Sequence, residues 1–280
     1  MASTLKLDHT VINVRFDMDA AEPLFRALGF TTTPRGFHSH GSMNHLMMFG
    51  TDYLELIGLP PGEEIRREDL RDAPVGINGL VFKSDDVDAT FSHLESAGLA
   101  GAEPRAFSRP VEVDGGERDV HFRTVTCRAD AFPGGRVYFC EHGNPELVWR
   151  PEWQSHANAV THMPEFVTVH ADPEAEAGRF ATVLGVDAET DAGGARSIAF
   201  DGGRITVLAP DQYAARYGAL ASSMNGRAAI FGALVFATAD LAALNQILAD
   251  PPAGVTAETG ETRSVVRVDA YDAVLEFVGT

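Results

Sequence analysis

The sequence predicts an α+β fold built from four copies of one β-α-β-β-β module, arranged in two pairs. The first observation is the pattern Leu-Glu-apolar-apolar-Gly, which occurs at residues 54–58 and again at residues 275–279. The second is an apolar strand followed by a helix that begins at an aspartate. Residues 77–82 and 230–236 are closely similar examples of that strand. Repetition with a period of about 70 residues indicates a tandem architecture.

The first module begins with an apolar strand at residues 7–14 that carries one embedded imidazole, His9. Asp17 is a good candidate for the N-cap of the helix that follows. Phe25 lies on the apolar face of this helix, at helical spacing from its other apolar residues. An extended segment at residues 30–34 and two short strands at residues 44–49 and 53–58, joined by a Gly-Thr-Asp turn, complete the module.

Glu55 interrupts the last strand of this module with a carboxylate. Side chains alternate between the two faces of a strand, so Tyr53, Glu55 and Ile57 share one face, while the leucines between them share the other. A carboxylate in this position either faces water or lies in a concave interior with a partner, because burying an unpaired carboxylate is costly.

The remaining modules follow the same order. The second has predicted strands at residues 77–82, 105–113, 120–127 and 136–140; the third at 165–169, 196–200 and 204–208; the fourth at 230–236, 264–268 and around Glu276. Positions 9 and 79 in the first pair lie 70 residues apart, and positions 165 and 233 in the second pair lie 68 apart. The segment 141–153 lacks periodicity and is predicted to cross between the halves. We therefore expect two domains, residues 1–155 and residues 156–280.

The composition excludes several classes of protein. The chain has 280 residues, a net charge of −18 and a pI near 4.8, which is opposite to the basic surface that binds nucleic acid. No apolar run approaches the length of a membrane helix, and the N-terminus has no signal-peptide core, so a cytoplasmic location is the default expectation. Two cysteines, Cys127 and Cys140, do not make a disulfide framework and are expected to be buried thiols.

Several strings resemble those of the vicinal oxygen chelate superfamily, and more narrowly those of its glyoxalase-like domain proteins. The strings are residues 7–14, 44–46, 53–58 and 142–153. The resemblance extends over residues 5–160, and beyond them only the repeat carries it. It implies two glyoxalase- or extradiol-dioxygenase-like domains, in each of which two modules curl into a half-open cup. It also implies a divalent metal ion inside the cup, bound to adjacent oxygens of a small-molecule substrate.

When the ligand positions of the superfamily are matched to this sequence, the resemblance implies an incomplete metal site. His9 occupies the ligand position on the first strand of the first module, and Glu55 occupies the one on its last strand. The second module has Gly79 and Tyr138 at the corresponding positions, and a glycine cannot bind a metal. Zinc, nickel, manganese, cobalt or iron would therefore need a third ligand from elsewhere. The alternative is that no metal is bound.

Three further histidines are candidates for that ligand. His45 and His121 lie on equivalent third strands and are expected to face each other across the cup, and His142 follows the strand of Tyr138. Glu55 and His45 are the residues expected to move protons. The second pair of modules has Glu165, Thr206, Ala233 and Glu276 at the four positions, without an imidazole, and is expected to be a structural partner.

Three classes of function remain open at this point. The first is a metal-dependent lyase or isomerase that forms an enediolate or oxyanion on a small oxygenated metabolite. The second is a non-haem iron dioxygenase of the extradiol type, which normally uses two imidazoles and one carboxylate. The third is a metal-free binding or resistance protein that uses the same cup. A homodimer is compatible with each of the three.

Overall fold

The computed structural model describes residues 5–113 and 115–280, which form two eight-stranded sheets. The strands of the first sheet are β1 (Leu7–Arg15), β2 (Gly36–Phe37), β3 (Met43–Met48), β4 (Tyr53–Gly58), β5 (Gly76–Lys83), β6 (Arg105–Val113), β7 (Gly116–Thr126) and β8 (Arg136–His142). Those of the second are β9 (Val160–His170), β10 (Glu189–Thr190), β11 (Arg196–Phe200), β12 (Gly203–Leu208), β13 (Ala229–Thr238), β14 (Val255–Glu258), β15 (Arg263–Val268) and β16 (Ala273–Gly279).

Six α-helices connect these strands within the described residues. They are α1 (Met18–Ala27), α2 (Glu68–Asp72), α3 (Val87–Ser96), α4 (Pro173–Leu184), α5 (Pro210–Tyr217) and α6 (Leu241–Leu248). None of them has the length and apolar character that a membrane crossing requires. Helices α1, α3, α4 and α6 each follow the first strand of a module, whereas α2 and α5 lie in the connectors between modules.

The two sheets have the same topology. Their strand orders are β2-β3-β4-β1-β5-β8-β7-β6 and β10-β11-β12-β9-β13-β16-β15-β14. In each sheet the first strands of the two modules pair antiparallel at the centre, and each also pairs parallel with the last strand of its own module. The predicted α+β fold of repeated β-α-β-β-β modules is confirmed.

The helix starts agree with the sequence in three modules and differ in the first. Asp86, Asp172 and Asp240 each accept hydrogen bonds from backbone N–H groups of the first helical turn, as N-caps do. Asp17 precedes α1 but makes no such bond. Its carboxylate instead accepts a hydrogen bond from the hydroxyl of Tyr271 at 2.9 Å, which links the two halves of the chain.

One continuous apolar core joins the two halves. Phe25 of α1 is fully buried in it. The rings of Phe30 and Phe49 contact the ring of Phe236 from the other half, with centroids 5.6 and 5.8 Å apart. The expected domain boundary falls in the segment between β8 and β9, which contains two short 3₁₀ turns, Pro145–Leu147 and Pro151–Trp153. The division into residues 1–155 and 156–280 remains a prediction.

Candidate functional site

The inner face of the first sheet encloses a cavity of about 450 Å³. Inward side chains of both modules line it because side chains alternate along each strand and the sheet is curved. Phe107, Phe122 and Tyr53 give the cavity aromatic walls. A cavity of this size matches the space that small-molecule sites usually provide.

A β-bulge directs two consecutive side chains toward the inside of the sheet. Leu7 pairs with Phe82, but His9 pairs with Val81, so Asp8 is an extra residue between them. Such a bulge changes the direction of a side chain that strict alternation would place on the opposite face. Asp8 and His9 therefore lie together, both almost fully buried.

His9 is the centre of the polar contacts in the cavity. Its Nδ1 lies 2.5 Å from Oδ1 of Asp8, and its Nε2 lies 3.2 Å from the hydroxyl of Tyr138 and 3.7 Å from Oε2 of Glu55. The ring stacks on Tyr53 with centroids 4.4 Å apart. Because a carboxylate accepts but does not donate, Nδ1 carries a proton toward Asp8. The imidazole is thus fixed in one orientation, with Nε2 facing the cavity.

Glu55 faces the same cavity from β4 and is 5% exposed. Its Oε1 accepts a hydrogen bond of 2.6 Å from the side-chain amide of Asn44. The same amide nitrogen lies 3.3 Å from Nε2 of His38. Burial, together with the nearby charges of His40, Arg109 and Arg67, lowers the pKa of His38 well below its usual range. Asn44 therefore holds one oxygen of Glu55 while the other remains directed toward His9.

A second imidazole shares the carboxylate of Asp8. Nε2 of His142 lies 3.1 Å from Oδ2 of Asp8, so this carboxylate lies between two histidines. Burial by itself would raise the pKa of Asp8, but the hydrogen bonds and positive charge of His142 and His9 hold it well below its usual range. Asp8 is therefore a buried anion that positions both rings.

The expected placement of His45 and His121 inside the cup is not what the structure shows. His45 points away from the cavity: its Nδ1 lies 2.8 Å from the carbonyl oxygen of Thr33, and its Nε2 accepts a hydrogen bond from Arg35. His121 is exposed on the outer face of β7, because its neighbour Phe122 takes the inward position. The structure does bring the side chains of His9 and Glu55 together. His142 contacts Asp8, and Asp8 in turn contacts His9.

The register of the hairpin β3-β4 contains a signal that the sequence prediction missed. Leu46 lies directly opposite Glu55, and directly opposed residues of an antiparallel pair point to the same face. Once Glu55 faces inward, Asn44 and Leu46 must do so as well, and His45 must face outward. Counting back from the turn at residues 50–52 gives these side-chain directions from the sequence alone. The bulge at Asp8 cannot be recognised in this way, because no local sequence pattern marks it.

The positions that hold the metal in the resembled superfamily do not fit a divalent ion in this chain. His9 and Glu55 supply two donors, and three protein donors are usual for a catalytic site. A Cβ on Gly79 would lie 2.7 Å from Cγ2 of Val11, so Val11 fills the place of a ligand there. Burial raises the pKa of the Tyr138 hydroxyl far above its usual range, which disfavours a phenolate ligand.

One other group of side chains brings three possible ligand atoms together. Among the described residues, Asp8, Cys140 and His142 are the three whose ligand atoms all lie within 4.8 Å of one another. A thiol, an imidazole and a carboxylate are donors that zinc accepts. An ion held there would compete with the hydrogen bonds by which Asp8 holds the two imidazoles.

The equivalent cup of the second half is filled by its own chain. Helix α5, which the sequence analysis did not predict, inserts Tyr213 and Tyr217 into the apolar cluster of that cup. Arg216 of this helix donates to Glu165 at 2.7 Å and to Glu276 at 2.9 Å, the two carboxylates in the ligand positions. Arg204 and Arg263 each contact one of these carboxylates as well, so guanidinium groups of the chain itself pair with both, and Tyr213 and Tyr217 occupy the apolar part of the cup.

The fold and the site together define a protein with a vicinal-oxygen-chelate type of cup. Two modules form each cup, and the first cup has an open cavity with a buried imidazole and carboxylate at its centre. The sequence profile of the family described as a glyoxalase-like domain matches residues 7–184. The chain belongs to this family of glyoxalase-like domain proteins. A comparison with curated proteins finds no match.

Solved structures share the fold at low sequence identity. A hypothetical protein from Staphylococcus aureus aligns with a TM-score of 0.69 at 10% identity, over 99% of this chain and 100% of that one. A triple mutant of 4-hydroxymandelate synthase from Streptomyces coelicolor aligns with a TM-score of 0.57 at 15% identity, over 99% and 93% of the two chains.

A third structure is a fusion protein of a xylose isomerase-like TIM barrel and 4-hydroxyphenylpyruvate dioxygenase. It aligns with a TM-score of 0.61 at 12% identity over 99% of this chain. The alignment covers 49% of the fusion protein, so this chain spans about half of its length. At these identities the three structures are evidence for the fold alone.

Proposed function

We propose that the protein is an enzyme that moves a proton on a small oxygenated metabolite in its N-terminal cup, as isomerases and lyases do. One observation carries this proposal: Nε2 of His9 lies 3.7 Å from Oε2 of Glu55 and 3.2 Å from the hydroxyl of Tyr138, inside a cavity of about 450 Å³. A base, an acid and a group that connects them are the parts that such a reaction needs.

In the proposed reaction, Glu55 takes a proton from a substrate carbon next to a carbonyl group. The electron pair of that C–H bond forms a carbon–carbon double bond, and the carbonyl oxygen becomes negative. The hydroxyl of Tyr138 donates a hydrogen bond to this oxygen, which lowers the energy of the charged intermediate. Nε2 of His9 takes this proton from Glu55, which restores the carboxylate, and returns it to the neighbouring carbon or to the oxygen of the intermediate, while Asp8 keeps the ring in place.

The burial of Glu55 suits it for the role of base. A carboxylate with few water contacts is not masked by solvent, and Asn44 satisfies only one of its two oxygens. The other oxygen is available to the substrate and to His9. Asn44 is thus a positioning residue, whereas Glu55 and Tyr138 are the groups that touch the reacting atoms in this proposal.

A metal-dependent form of the same chemistry has one observation in its favour, the cluster of Asp8, Cys140 and His142. A bound divalent ion would supply a Lewis acid that polarises a substrate oxygen. An extradiol dioxygenase has weaker support, because the described residues do not place a second imidazole together with both His9 and Glu55. A binding protein would use the same cavity without moving a proton.

Proton exchange tests the proposal whichever product the reaction forms. The protein is incubated in D₂O with a panel of small α-hydroxy ketones and 2-oxo acids, and proton NMR follows the loss of the C–H signal next to the carbonyl group. We expect exchange with the wild type, and loss of exchange in Glu55→Gln, which removes the negative charge at nearly constant shape. His121→Gln, outside the cup, is the matched control.

The results separate the functions. Exchange that survives EDTA supports the metal-free reaction, whereas exchange lost in EDTA and restored by zinc, nickel, manganese, cobalt or iron supports the metal-dependent form. Full exchange in a folded Glu55→Gln variant would refute the role of Glu55. Binding of panel compounds without any exchange would favour a binding protein.

A further inference from the structure

The cavity of the first cup collects positive charge in an otherwise acidic protein. Four arginines, Arg67, Arg105, Arg109 and Arg136, line it with three acidic residues, Glu55, Asp69 and Glu103, whereas the chain as a whole has 40 acidic and 22 basic residues. Arg105 is exposed near the rim, while the other three guanidinium groups are within the cavity wall. Such a concentration of guanidinium groups needs negative charge nearby, because burying an unpaired cation is costly.

Arg67 has its own partners. Its Nε and Nη2 donate to the carboxylate of Asp69 at 2.8 and 2.7 Å, a two-bond contact with matched geometry. Its Nη1 lies 3.2 Å from Nε2 of His40. The charge of Arg67 is therefore neutralised inside the protein.

Arg109 lacks such partners. It points inward from β6 and is 3% exposed, and within residues 5–113 and 115–280 its side chain makes no ion pair and no hydrogen bond. Its Nε is a buried donor without an acceptor. Burial lowers the pKa of Arg109, although the charges of Tyr53 and Glu55 act in the opposite direction.

Gly36 makes the position of Arg109 sterically possible. A Cβ on Gly36 would lie 2.4 Å from Cδ and 2.6 Å from Nη1 of Arg109, closer than real Cβ contacts come. The guanidinium therefore packs directly on the backbone of β2. A side chain held this tightly needs little reordering when a ligand arrives, which lowers the entropic cost of binding.

Arg136 is the second arginine of the cavity with a hydrogen-bond donor that has no partner among the described residues. Its Nε donates to the side-chain oxygen of Asn78 at 2.8 Å, and its Nη1 lies 3.7 Å from Asp69. Its Nη2 is buried and has no partner among the described residues. Both Arg109 and Arg136 thus present unused N–H groups, and neither forms an ion pair with Glu55, whose two oxygens face Asn44 and His9.

We infer that the cavity binds a small molecule with one anionic group, a carboxylate or a phosphate, on an apolar body, and that Arg109 and Arg136 hold the anion. The apolar body would lie against Phe107 and Phe122, whose rings stack with centroids 5.1 Å apart. This inference rests on the proposed function, because it names the substrate class of that site. Guanidinium groups suit it because they bind carboxylates and phosphates through charge-assisted hydrogen bonds.

Isothermal titration of the full chain tests the inference with three probes: benzoate, inorganic phosphate and the neutral benzamide. We expect benzoate to bind more tightly than benzamide. Arg109→Gln should weaken benzoate binding about tenfold to a hundredfold, as the loss of a charged hydrogen bond does. Arg136→Gln should have a similar effect, and Arg109→Lys a smaller one. Arg128→Gln, at an exposed arginine outside the cavity, is the control.

Each outcome supports or overturns the inference. Tighter binding of phosphate than of benzoate in the wild type, lost in Arg109→Gln, assigns a phosphate-bearing ligand. Equal binding of benzamide and benzoate, or unchanged benzoate binding in both folded arginine-to-glutamine variants, overturns the anion site. No binding of any probe overturns it too. If benzoate binds through Arg109 but no proton exchange occurs, the proposed reaction fails and the anion site stands.

Discussion

The ion cluster that fills the second cup gives the strongest stability prediction. Arg216 contacts both Glu165 and Glu276, which are 6% and 3% exposed. Replacing Arg216 by methionine keeps most of the apolar volume but leaves two buried carboxylates less well paired. Arg204 and Arg263 still contact one carboxylate each. Breaking a buried pair costs about 3 to 5 kcal/mol, and these remaining contacts place the expected cost near the lower end, about 3 kcal/mol.

Urea unfolding followed by far-UV circular dichroism measures this cost. With a slope of about 3 kcal/mol/M, the midpoint of Arg216→Met should fall by about 1 M. Arg204→Met is the matched control, because Arg204 is 56% exposed and its pair should contribute about 1 kcal/mol or less. The triple variant Arg216→Met, Glu165→Gln, Glu276→Gln should recover part of the loss, since it buries no unpaired charge.

The pH dependence gives a second test of the same cluster. Burial alone would raise the pKa of Glu165, but Arg216 lowers it, so this carboxylate stabilises the fold above its unfolded pKa of about 4.3. That contribution is lost as the pH falls through the lowered pKa. The deficit of Arg216→Met should therefore be largest near pH 7 and shrink in acid. A loss below about 1 kcal/mol at pH 7, or one equal to that of Arg204→Met, would refute the reasoning.

Three further predictions concern other parts of the chain. Phe25→Ala should cost about 3 to 5 kcal/mol in the free energy of unfolding, measured in urea, because it empties a fully buried aromatic site. Burial raises the pKa of Asp52 to about 6, so its carboxyl group stabilises the fold below about pH 4 and loses that contribution as the pH rises to about 6. The free energy of unfolding of Asp52→Asn, relative to that of the wild type, should therefore increase by up to about 3 kcal/mol as the pH rises from about 4 to about 7. The same urea measurement gives this difference. Gly36→Ala should displace Arg109 and weaken benzoate binding about tenfold by titration, whereas Gly178→Ala, with open space at its Cβ, should not change it.

These predictions have clear contrary results. A loss under about 1 kcal/mol for Phe25→Ala would mean that the buried face of α1 is misassigned. Parallel stability curves for Asp52→Asn and the wild type would contradict the raised pKa of Asp52. Equal benzoate affinity in the Gly36→Ala and Gly178→Ala variants would show that Arg109 does not depend on the missing side chain of Gly36.

The modules could be predicted because their signals are local. The alternation around Glu55, the helix caps at Asp86 and Asp172 and the repeated strand at residues 230–236 each lie within about ten residues of chain. The structure confirms the module order that these signals predict. A local signal fails at Asp17, whose carboxylate does not cap α1. It accepts a hydrogen bond from the hydroxyl of Tyr271 instead, and that residue is far away in the chain.

The site was predictable only in part. His9 and Glu55 stand out in the sequence because each is a polar side chain in an apolar strand, and the curvature of the sheet does bring them together. His45 was misplaced because its direction depends on the register of a hairpin rather than on its residue type. Asp8 was missed because a bulge turns it inward, and a bulge depends on the pairing of two strands.

The sequence by itself determined the repeated α+β fold, the strands of the first cup and the lack of an imidazole at the four matched positions of the second. Only the tertiary structure decided which side chains meet. Tyr138 reaches His9 across 129 residues, Arg109 comes to lie against Gly36, and Arg216 fills the second cup from a connector. The physical reason is that such contacts depend on sheet curvature, strand register and the path of connectors, and all three are set by packing between segments that are distant in the chain.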